Sequence, residues 1–427
     1  MKQGASSVEK AVIRTAENWG RIIALLAARD GDIAGAEDAL AGAVERALRT
    51  WPATGVPANP GGWVYRAALN VRRDVWSSAA FRSSVTLENL THEPVAEVVE
   101  GLSFLELPDE RLQLLAACAH PQVDPAVRPL LMLSAVMGLP ARRIAEGMAL
   151  PTATVSARLT RAKKRIRGAG LSMPVPERSE LMDRLPSIHE AVYGVFAIEW
   201  KHAGSDLRTG LLGESRYLAD LVAALCPDDA ESHGLAGLIC LCSARFPARR
   251  SGDELVTLAE QDPSAWDIGL VRAGEAHLRE VRRCGGVGRF GIEAVIQALH
   301  MQGVRTGHTD WRALLCQHDH LLRIAPSLGA QVSRAAILQH IKGPEAALEE
   351  LEQLLLSAPV FQPAWVVTAN LHHALGRPKH AAQAMERALS LTTVISERRY
   401  LEHTIRQWRE ADSSTHDPAQ RPDGSTR

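Results

Sequence analysis

The sequence predicts an all-α protein with more than one domain. Apolar residues make up 46% of the 427 residues, whereas aromatic residues make up only 4%. Alanine and leucine dominate, and the runs of Val, Ile, Tyr and Phe that favour strands are rare. Hydrophobic side chains instead recur every three or four residues along most of the chain, which is the helical period. A chain of this length is long enough for two to four domains.

The bulk composition also limits the function. The formal net charge is −1, so a nucleic-acid site has to be local rather than a property of the whole surface. The six cysteines form no CxxC pair, which is typical of reduced, buried thiols in a cytosol. We see no signal peptide and no apolar run long enough to span a membrane, so we expect a soluble cytoplasmic protein without a membrane partner.

The first predicted domain, residues 8–82, contains three helices. An Asp-Gly-Asp break at 30–32 separates the first two, and Asn59 followed by Pro60 caps and starts the third. The second helix carries a mixed-charge outer face formed by Glu37, Asp38, Ala41, Glu45 and Arg49. On the third helix we predict a core face of Trp63, Ala67, Val71 and Val75. Opposite it we predict a solvated aromatic and basic face of Tyr65, Leu69, Arg72, Arg73 and Trp76, with Arg66 at its edge.

Residues 83–110 form a predicted acidic linker. Between positions 86 and 110 there are seven Asp and Glu residues and no Lys or Arg. A helical domain at 111–172 follows, and it ends in the most informative stretch of the chain, residues 142–167.

This stretch predicts a helix-turn-helix. Ile144, Ala145 and Met148 form one apolar face of its first helix, and Pro151 and Thr152 open the second. The second helix has one apolar stripe, formed by Val155, Leu159, Ala162 and Ile166. Eight Lys and Arg residues stand against a single acidic residue, which gives the stretch a net charge of +7. A small N-terminal half and a basic C-terminal half favour a recognition helix in the DNA major groove.

We predict DNA contacts on the outer side of this helix. Arg161 is suited to a guanine edge, and Thr160 or Ala157 to a thymine methyl group. The remaining basic side chains are more suited to phosphates, and Ser156 lies at the flank of the apolar stripe. The full candidate set is Thr152, Ser156, Ala157, Arg158, Thr160, Arg161, Lys163, Lys164 and Arg167.

From about 180 to 410 the sequence predicts one helix after another. Two helix pairs have their joining glycines, Gly343 and Gly376, 33 residues apart, close to the 34-residue period of tetratricopeptide (TPR) repeats. We expect a TPR-like domain at 180–410 and a disordered polar tail at 411–427.

Together these segments resemble a bacterial sigma factor of the extracytoplasmic-function (ECF) type. GAEDALAGAVERALRTW resembles the core-polymerase helix of that family, NPGGWVYRAALNVRRDVW its −10 helix, and RRIAEGMALPTATVSARLTRAKKRIR its −35 motif. LAEQDPSAWD, HTDWRALLCQHDHLLRIAPS and the final ERRYLE are similar to the long TPR-like extension of one ECF subgroup. The resemblance covers about nine-tenths of the chain.

The resemblance implies a separate binding role for each segment. The mixed-charge face of the second helix would bind core RNA polymerase, the helix-turn-helix would bind the −35 element, and Tyr65, Arg66, Arg72, Arg73 and Trp76 would bind the −10 element. The loop between Trp51 and Gly62 lies where the family captures a flipped base. The extension would regulate the sigma domains and take a protein or peptide partner. The Trp-Ser-Ser at 76–78 departs from the basic pair usual in the family, and FAIEWKHAGSD departs from the usual start of the extension.

Two other classes compete with this interpretation. An enzyme or metal protein could use the histidines and aspartates of the middle region, which are His300, His308, Asp310, His318, Asp319 and His320. Their spacing matches no metal or catalytic motif, and Cys240 and Cys242 are typical of packed thiols, so we predict no enzyme, cofactor or metal. The other alternative is a helix-turn-helix regulator with a TPR sensor that never binds polymerase. The N-terminal domain argues against it.

Overall fold

The computed structural model describes most of the chain, and that part is helical almost throughout. It describes residues 19–28, 31–77, 111–148, 150–168, 178–200, 210–251, 254–286, 288–392 and 394–414. The all-α prediction is confirmed for these residues, whose strands amount to one short antiparallel pair. The whole predicted acidic linker at 83–110 lies outside the described residues, as do the two ends of the first predicted domain, at 8–18 and 78–82, and the tail after 414. No helix in the described ranges combines the length and hydrophobicity that crossing a bilayer requires.

The chain divides into two compact units, Met1–Val222 and Ala223–Arg427. The helices of the first unit, the last of which crosses the boundary, are α1 (Trp19–Ala27), α2 (Ile33–Thr54), α3 (Pro60–Ser77), α4 (Arg111–Cys118), α5 (Arg128–Ala135), α6 (Ala141–Gly147), α7 (Thr152–Gly168), α8 (Arg178–Trp200) and α9 (Leu211–Leu225).

Capping side chains fix where the early helices begin. Asp32 accepts a hydrogen bond from the Gly35 amide at 3.1 Å and starts α2. Asn59 accepts one from the Gly62 amide at 3.0 Å, and Pro60 is the first residue of α3. Both helix starts agree with the sequence prediction.

Helix α2 extends beyond the predicted start of the following loop. It continues through Pro52 to Thr54. A proline in the last turn of a helix removes only one helical hydrogen bond. Here the Gly55 amide donates to the Trp51 carbonyl at 2.9 Å, and the Thr54 hydroxyl donates to the Thr50 carbonyl at 3.0 Å. These bonds close the final turn.

In the first unit, helices from the beginning and the end of the unit pack on the helices between them. Helix α1 packs on α2 and α4, and α8 packs on α5. The approach is close at Gly20, where an added Cβ atom would overlap the Val136 carbonyl group. An ion pair of 2.6 Å between Arg143 and Glu199 joins α6 to α8. We predicted that the C-terminal extension begins at residue 180. Helix α8, however, packs on helices of the first unit.

The second unit begins with α10 (Ala230–Ala244) and a small hairpin of β1 (Arg250–Ser251) and β2 (Glu254–Leu255). Short 3-10 turns occur at Phe246–Ala248, Leu258–Glu260 and Pro263–Ala265. The remaining helices are α11 (Ile268–Arg283), α12 (Arg289–Thr306), α13 (Trp311–Ile324), α14 (Leu328–Lys342), α15 (Pro344–Ser357), α16 (Gln362–Ala374), α17 (Pro378–Leu391) and α18 (Ile395–Ser414). The hairpin and the 3-10 turns were not predicted, and residues 411–414 are helical although the sequence predicts a tail from 411.

Helices of the second unit pack mainly on their sequence neighbours. Gly343 joins α14 to α15 with a φ of 89°, and Gly376 follows α16 with a φ of 65°, a region that favours glycine. Leu351 and Leu371 lie in one apolar cluster shared by α14, α15 and α16. The last helix, α18, packs on α17 and also on β2, near the start of the unit.

Candidate nucleic-acid interface

Helices α6 and α7 form the predicted helix-turn-helix. Ile144 and Ala145 are buried, and the Leu150 amide donates to the Ala145 carbonyl at 2.9 Å, which closes the turn. The apolar stripe of α7 is buried as predicted, at Val155, Leu159, Ala162 and Ile166. Met148 was expected on the apolar face of α6, but it follows the end of that helix and is 42% exposed.

The outward side of α7 carries short side chains. Ala157 and Thr160 are exposed, and the Thr160 hydroxyl donates to the Ser156 carbonyl one turn earlier, at 3.0 Å. Arg161 is exposed beside them, and its Nε donates to the Ala157 carbonyl at 3.2 Å. Lys164 is exposed one turn further on. A helix surface of this kind allows close approach to the edges of base pairs.

One flank of α7 forms an arginine-lined groove. Arg158, Arg161 and Arg165 line a groove of about 400 Å³. The loop that precedes α5 lines its other side, through Val123, Asp124, Ala126 and Val127. The Asp124 Oδ1 atom accepts a hydrogen bond from the Ala126 amide at 3.0 Å. Guanidinium groups match phosphate oxygens in charge and geometry. Arg165 was absent from the predicted contact set, although its spacing from Arg158 and Arg161 places all three on one flank of the helix.

The opposite flank of α7 lies against α2. The Lys163 ammonium group donates to both carboxylate oxygens of Glu37, at 2.7 and 2.6 Å, and to the Ser134 hydroxyl at 3.3 Å. The Lys163 side chain is 13% exposed and the Glu37 side chain 21%. Arg167 lies 4.0 Å from the Asp32 carboxylate, also on α2's N-terminal side. Thus a predicted DNA contact and a predicted polymerase contact bond to each other.

The thiol of Cys118 is buried close to this ion pair. Burial raises the pKa of Cys118, the charge of Lys163 acts to lower it, and the charge of Glu37 adds to the rise. A thiol held neutral in this way is a poor nucleophile. The cysteine is therefore part of the packing beneath the contact.

Helix α3 does not present the solvated aromatic and basic face that we predicted. Tyr65 and Arg72 are each only 4% exposed, and Leu69 is also buried. Arg72 donates to the Asp32 carbonyl at 3.3 Å and so supports the start of α2. The cause is that α3 packs on both α1 and α2, which buries more than one stripe. For Tyr65, Leu69 and Arg72 the predicted exposure was wrong.

The exposed groups on α3 are fewer than predicted. Arg66 and Arg73 are exposed, whereas the Trp76 side chain lies outside the described part of the structure. The loop before α3 is anchored at both ends. Trp51 and Trp63 meet edge to face with ring centroids 5.4 Å apart, and Asn59 caps the helix. The loop at 55–59 is thus held between two fixed points.

The predicted polymerase face on α2 is largely exposed. Asp38, Ala41, Glu45 and Arg49 are all exposed, whereas Glu37 is bonded to α7. Among them Leu48 is 49% exposed, which sequence reasoning missed. Its position three residues after Glu45 and seven after Ala41 is the signal that would have found it.

The two aspartates of the middle region, Asp310 and Asp319, have structural roles, and His300 and His318 are shielded from solvent. Asp310 caps α13 by accepting from the Ala313 amide at 2.9 Å, and Asp319 accepts a hydrogen bond from Arg334 at 2.5 Å. Burial lowers the pKa of both His300 and His318 to about 4, with smaller effects from neighbouring charges. Among the described residues, no three of the six histidines and aspartates of the middle region place their possible ligand atoms within 4.8 Å of one another.

Comparison with known proteins finds similarity to a protein family of unknown function and to an uncharacterized protein. Residues 184–282, from within α8 to near the end of α11, match the Family of unknown function (DUF6596). The chain is similar to an uncharacterized protein of Rhizobium meliloti (strain 1021), with 29% identity over 372 residues, which cover 86% of this chain and 88% of that protein. No solved structure matches the chain. An alignment of that length includes parts of both compact units.

Proposed function

We propose that this protein is an RNA polymerase sigma factor of the ECF type that acts on promoter DNA in the cytoplasm and is regulated by its C-terminal helical unit. The observation that carries the proposal is the exterior of α7, where the small side chains of Ala157 and Thr160 lie beside an arginine-lined groove. This arrangement suits a major groove, with small side chains near the bases and guanidinium groups at the phosphates. The family resemblance of the sequence supports the same assignment.

Arg161 has a special position in this interface. It is exposed next to Ala157 and also lines the groove, so it lies between the base-facing and the phosphate-facing surfaces. We assign it to a guanine edge of the −35 element, and Arg158 and Arg165 to phosphates. Arg161→Ala should then cost ~1–3 kcal/mol at the cognate −35 element and relax the preference at one base position. Equal binding of the unmutated protein to cognate and scrambled duplexes would refute this assignment.

We assign α2 to core polymerase. Its exposed stripe places Leu48 among the charged side chains of Asp38, Glu45 and Arg49. An apolar centre with a charged rim is the usual anatomy of a protein interface. Leu48→Asp should therefore weaken binding to core polymerase while leaving the binding of −35 DNA unchanged. Leu356→Asp, at an exposed leucine of the second unit, is the matched control.

The −10 assignment changes once burial is known. Arg66 and Arg73 are exposed on α3 and are suited to the backbone of an unpaired strand. Tyr65 and Arg72 support α3 and α2 from within the core and would act as positioning residues. The anchored loop at 55–59 is then the surface where a flipped base would be held.

We assign a regulatory role to the second unit. Its helix pairs, α14 with α15 and α16 with α17, support a TPR-like array that presents a surface to a protein or peptide. A deletion designed from the structure should begin after residue 225, because α8 packs on α5 and α9 ends at Leu225. Removing residues 226–427 should alter promoter-dependent transcription, and unchanged output in cells and in vitro would refute the regulatory role.

The decisive experiment is co-purification of the full chain with bacterial core RNA polymerase, followed by run-off transcription on a library of promoter fragments. A stable complex that initiates at a defined subset of promoters would support the sigma-factor proposal. Sequence-specific DNA binding without any polymerase complex, from the full chain and from residues 1–225, would instead support the helix-turn-helix regulator. Loss of initiation in the Leu48→Asp variant, with DNA binding retained, would locate the polymerase contact on α2.

A further inference from the structure

Two helices of the second unit, α10 and α11, pack with very little space between them. A Cβ atom added at Gly237 of α10 would lie 3.3 Å from the Cβ atom of His277 on α11. One added at Gly274 of α11 would lie 2.6 Å from the Cγ atom of Leu241 on α10. The two glycines therefore bring His277 against the face of α10 that contains Gly237.

That face of α10 carries two further residues that can bind metal ions. His233 lies four residues before Gly237, and Cys240 lies three residues after it, so the three positions share one side of the helix. His233 is 7% exposed and Cys240 is 1% exposed. His277 thus faces a buried histidine one turn before Gly237 and a buried cysteine one turn after it.

The distances within this group are close to those between ligands of a single ion. The Nδ1 atoms of His233 and His277 are 3.1 Å apart. A ring nitrogen of His277 and the sulfur of Cys240 lie within 4.8 Å of each other. In a tetrahedral zinc site, two nitrogen ligands are separated by about 3.3 Å, and a nitrogen and a sulfur by about 3.6 Å. Small rotations of these side chains would bring the three ligand atoms to one ion.

The backbone holds His233 in the orientation of a metal ligand. Its Nε2 atom lies 3.1 Å from the Pro227 carbonyl oxygen, which can only accept, so Nε2 carries the hydrogen. The neutral ring then has its lone pair on Nδ1, the atom that faces His277. Arg283 donates to the same carbonyl at 2.7 Å and fixes its position. A histidine whose second ring nitrogen donates to a backbone carbonyl is the usual arrangement around a bound metal.

We propose that His233, Cys240 and His277 form a binding site for a transition-metal ion, and that the ion is Zn²⁺. Two imidazole nitrogens and one thiolate are ligand types that Zn²⁺ takes in proteins, whereas Mg²⁺ and Ca²⁺ need oxygen ligands. On binding, the Cys240 thiol releases its proton to solvent and the thiolate binds the ion.

This site is independent of the proposed sigma-factor function. It would overturn our sequence prediction that the chain binds no metal. No local motif reveals the group, because His233 and His277 are 44 positions apart. The close approach of α10 and α11 is what brings the ligands together.

The first test titrates the full chain with Co²⁺, a coloured ion that takes the coordination of Zn²⁺. The protein is first freed of metal with a chelator and kept reduced with a phosphine. We expect a near-ultraviolet band from a cobalt–thiolate bond and visible bands of four-coordinate Co²⁺, both complete at one equivalent. Added Zn²⁺ should abolish these bands by displacing the Co²⁺. Absence of the cobalt–thiolate band would overturn the proposal.

Substitutions then locate the site. Cys240→Ala should abolish the cobalt–thiolate band, whereas Cys242→Ala, at a second buried cysteine of α10, should retain it. His277→Gln should weaken Co²⁺ binding by at least about tenfold, because even the loss of a group that only supports a ligand costs about 10–100-fold. His308→Gln, at an exposed histidine of the same unit, is the control. A band that persists in Cys240→Ala, or equal affinities of the two histidine variants, would overturn the assignment.

A stability measurement keeps the proposal testable even if a variant folds poorly. The thermal unfolding temperature of the wild-type chain should rise when Zn²⁺ is added, because an ion that binds only the folded state stabilises it. Mg²⁺ at the same concentration should have no effect. No rise with Zn²⁺ in the wild-type chain, or an equal rise in His277→Gln, would overturn the proposal. Circular dichroism of each metal-free variant shows whether its helices remain folded.

Discussion

The dependence of DNA binding on salt tests the geometry of α7 directly. The cationic side chains directed away from α2 are Arg158, Arg161, Lys164 and Arg165. Two others, Lys163 and Arg167, face carboxylates of the α2 region. Binding to duplex DNA releases counterions in proportion to the phosphates that a protein neutralises. The count of free cationic side chains therefore fixes how steeply affinity falls with salt.

Each neutralised phosphate contributes about −0.9 to the slope of log K against log salt concentration. Four contacts predict a slope of about −3.6, so affinity should fall about 150-fold between about 50 and about 200 mM salt. Six contacts, with Lys163 and Arg167 included, would give about −5.4. The Arg165→Gln variant should have a slope of about −2.7 and bind all duplex sequences more weakly.

The assay is fluorescence anisotropy of a labelled −35 duplex, titrated with the full chain at four or more salt concentrations. Arg323→Gln, at an exposed position of α13 in the second unit, should leave the slope unchanged. The Glu37→Gln variant should have a steeper slope than wild type, by about one phosphate contact. An unchanged slope in Arg165→Gln would refute the groove as a phosphate site, and a wild-type slope near −5.4 would refute the docking of Lys163.

Three further predictions concern stability and reactivity. Gly234→Ala should destabilise the second unit by about 1–3 kcal/mol in urea unfolding, because the added Cβ atom overlaps the backbone of α12. The control Gly329→Ala has open space around the added atom and should be neutral or stabilising. Equal stability of the two variants would contradict this packing. Burial lowers the pKa of His318 from the usual 6.5 to about 4, so folding favours its neutral form. The free energy of unfolding should therefore be highest above pH 6.5 and decline by about 1 kcal/mol per pH unit as the pH falls toward 4. A His318→Gln variant should show a flatter dependence of stability on pH. Iodoacetamide should modify the exposed Cys316 well before the buried Cys118, whose pKa is raised by burial, and mass spectrometry of the digested protein would reveal the opposite order.

The helix-turn-helix could be predicted from sequence because its pattern is local and one-sided. Val155, Leu159 and Ile166 recur at the helical period and are buried as expected. Asn59 with Pro60 likewise marks the start of α3 from two adjacent residues. Met148 shows the limit of the method. It lies one residue past the end of α6, where the helical period no longer determines the direction of a side chain.

The contacts that the sequence did not reveal link distant positions. Arg72 is buried because its guanidinium group reaches the Asp32 carbonyl, forty residues earlier in the chain. The partner of Lys163 is separated from it by 126 positions. Hydrophobic periodicity detects one buried stripe per helix, so it cannot show that α3 is packed from two sides or that α7 has a charged docking flank.

The return of α18 to β2 has a consequence for how the protein is made. In a linear repeat array each unit touches only its neighbours, so an array cut short at its end leaves a smaller folded array. Here α18 covers a strand, β2, that is synthesised much earlier, near the beginning of the same unit. The hairpin therefore stays partly uncovered until α18 has been synthesised. A premature stop shortly before residue 395 would thus yield a chain whose second unit lacks the helix that packs on β2. We expect quality-control proteases to degrade such an incompletely folded chain.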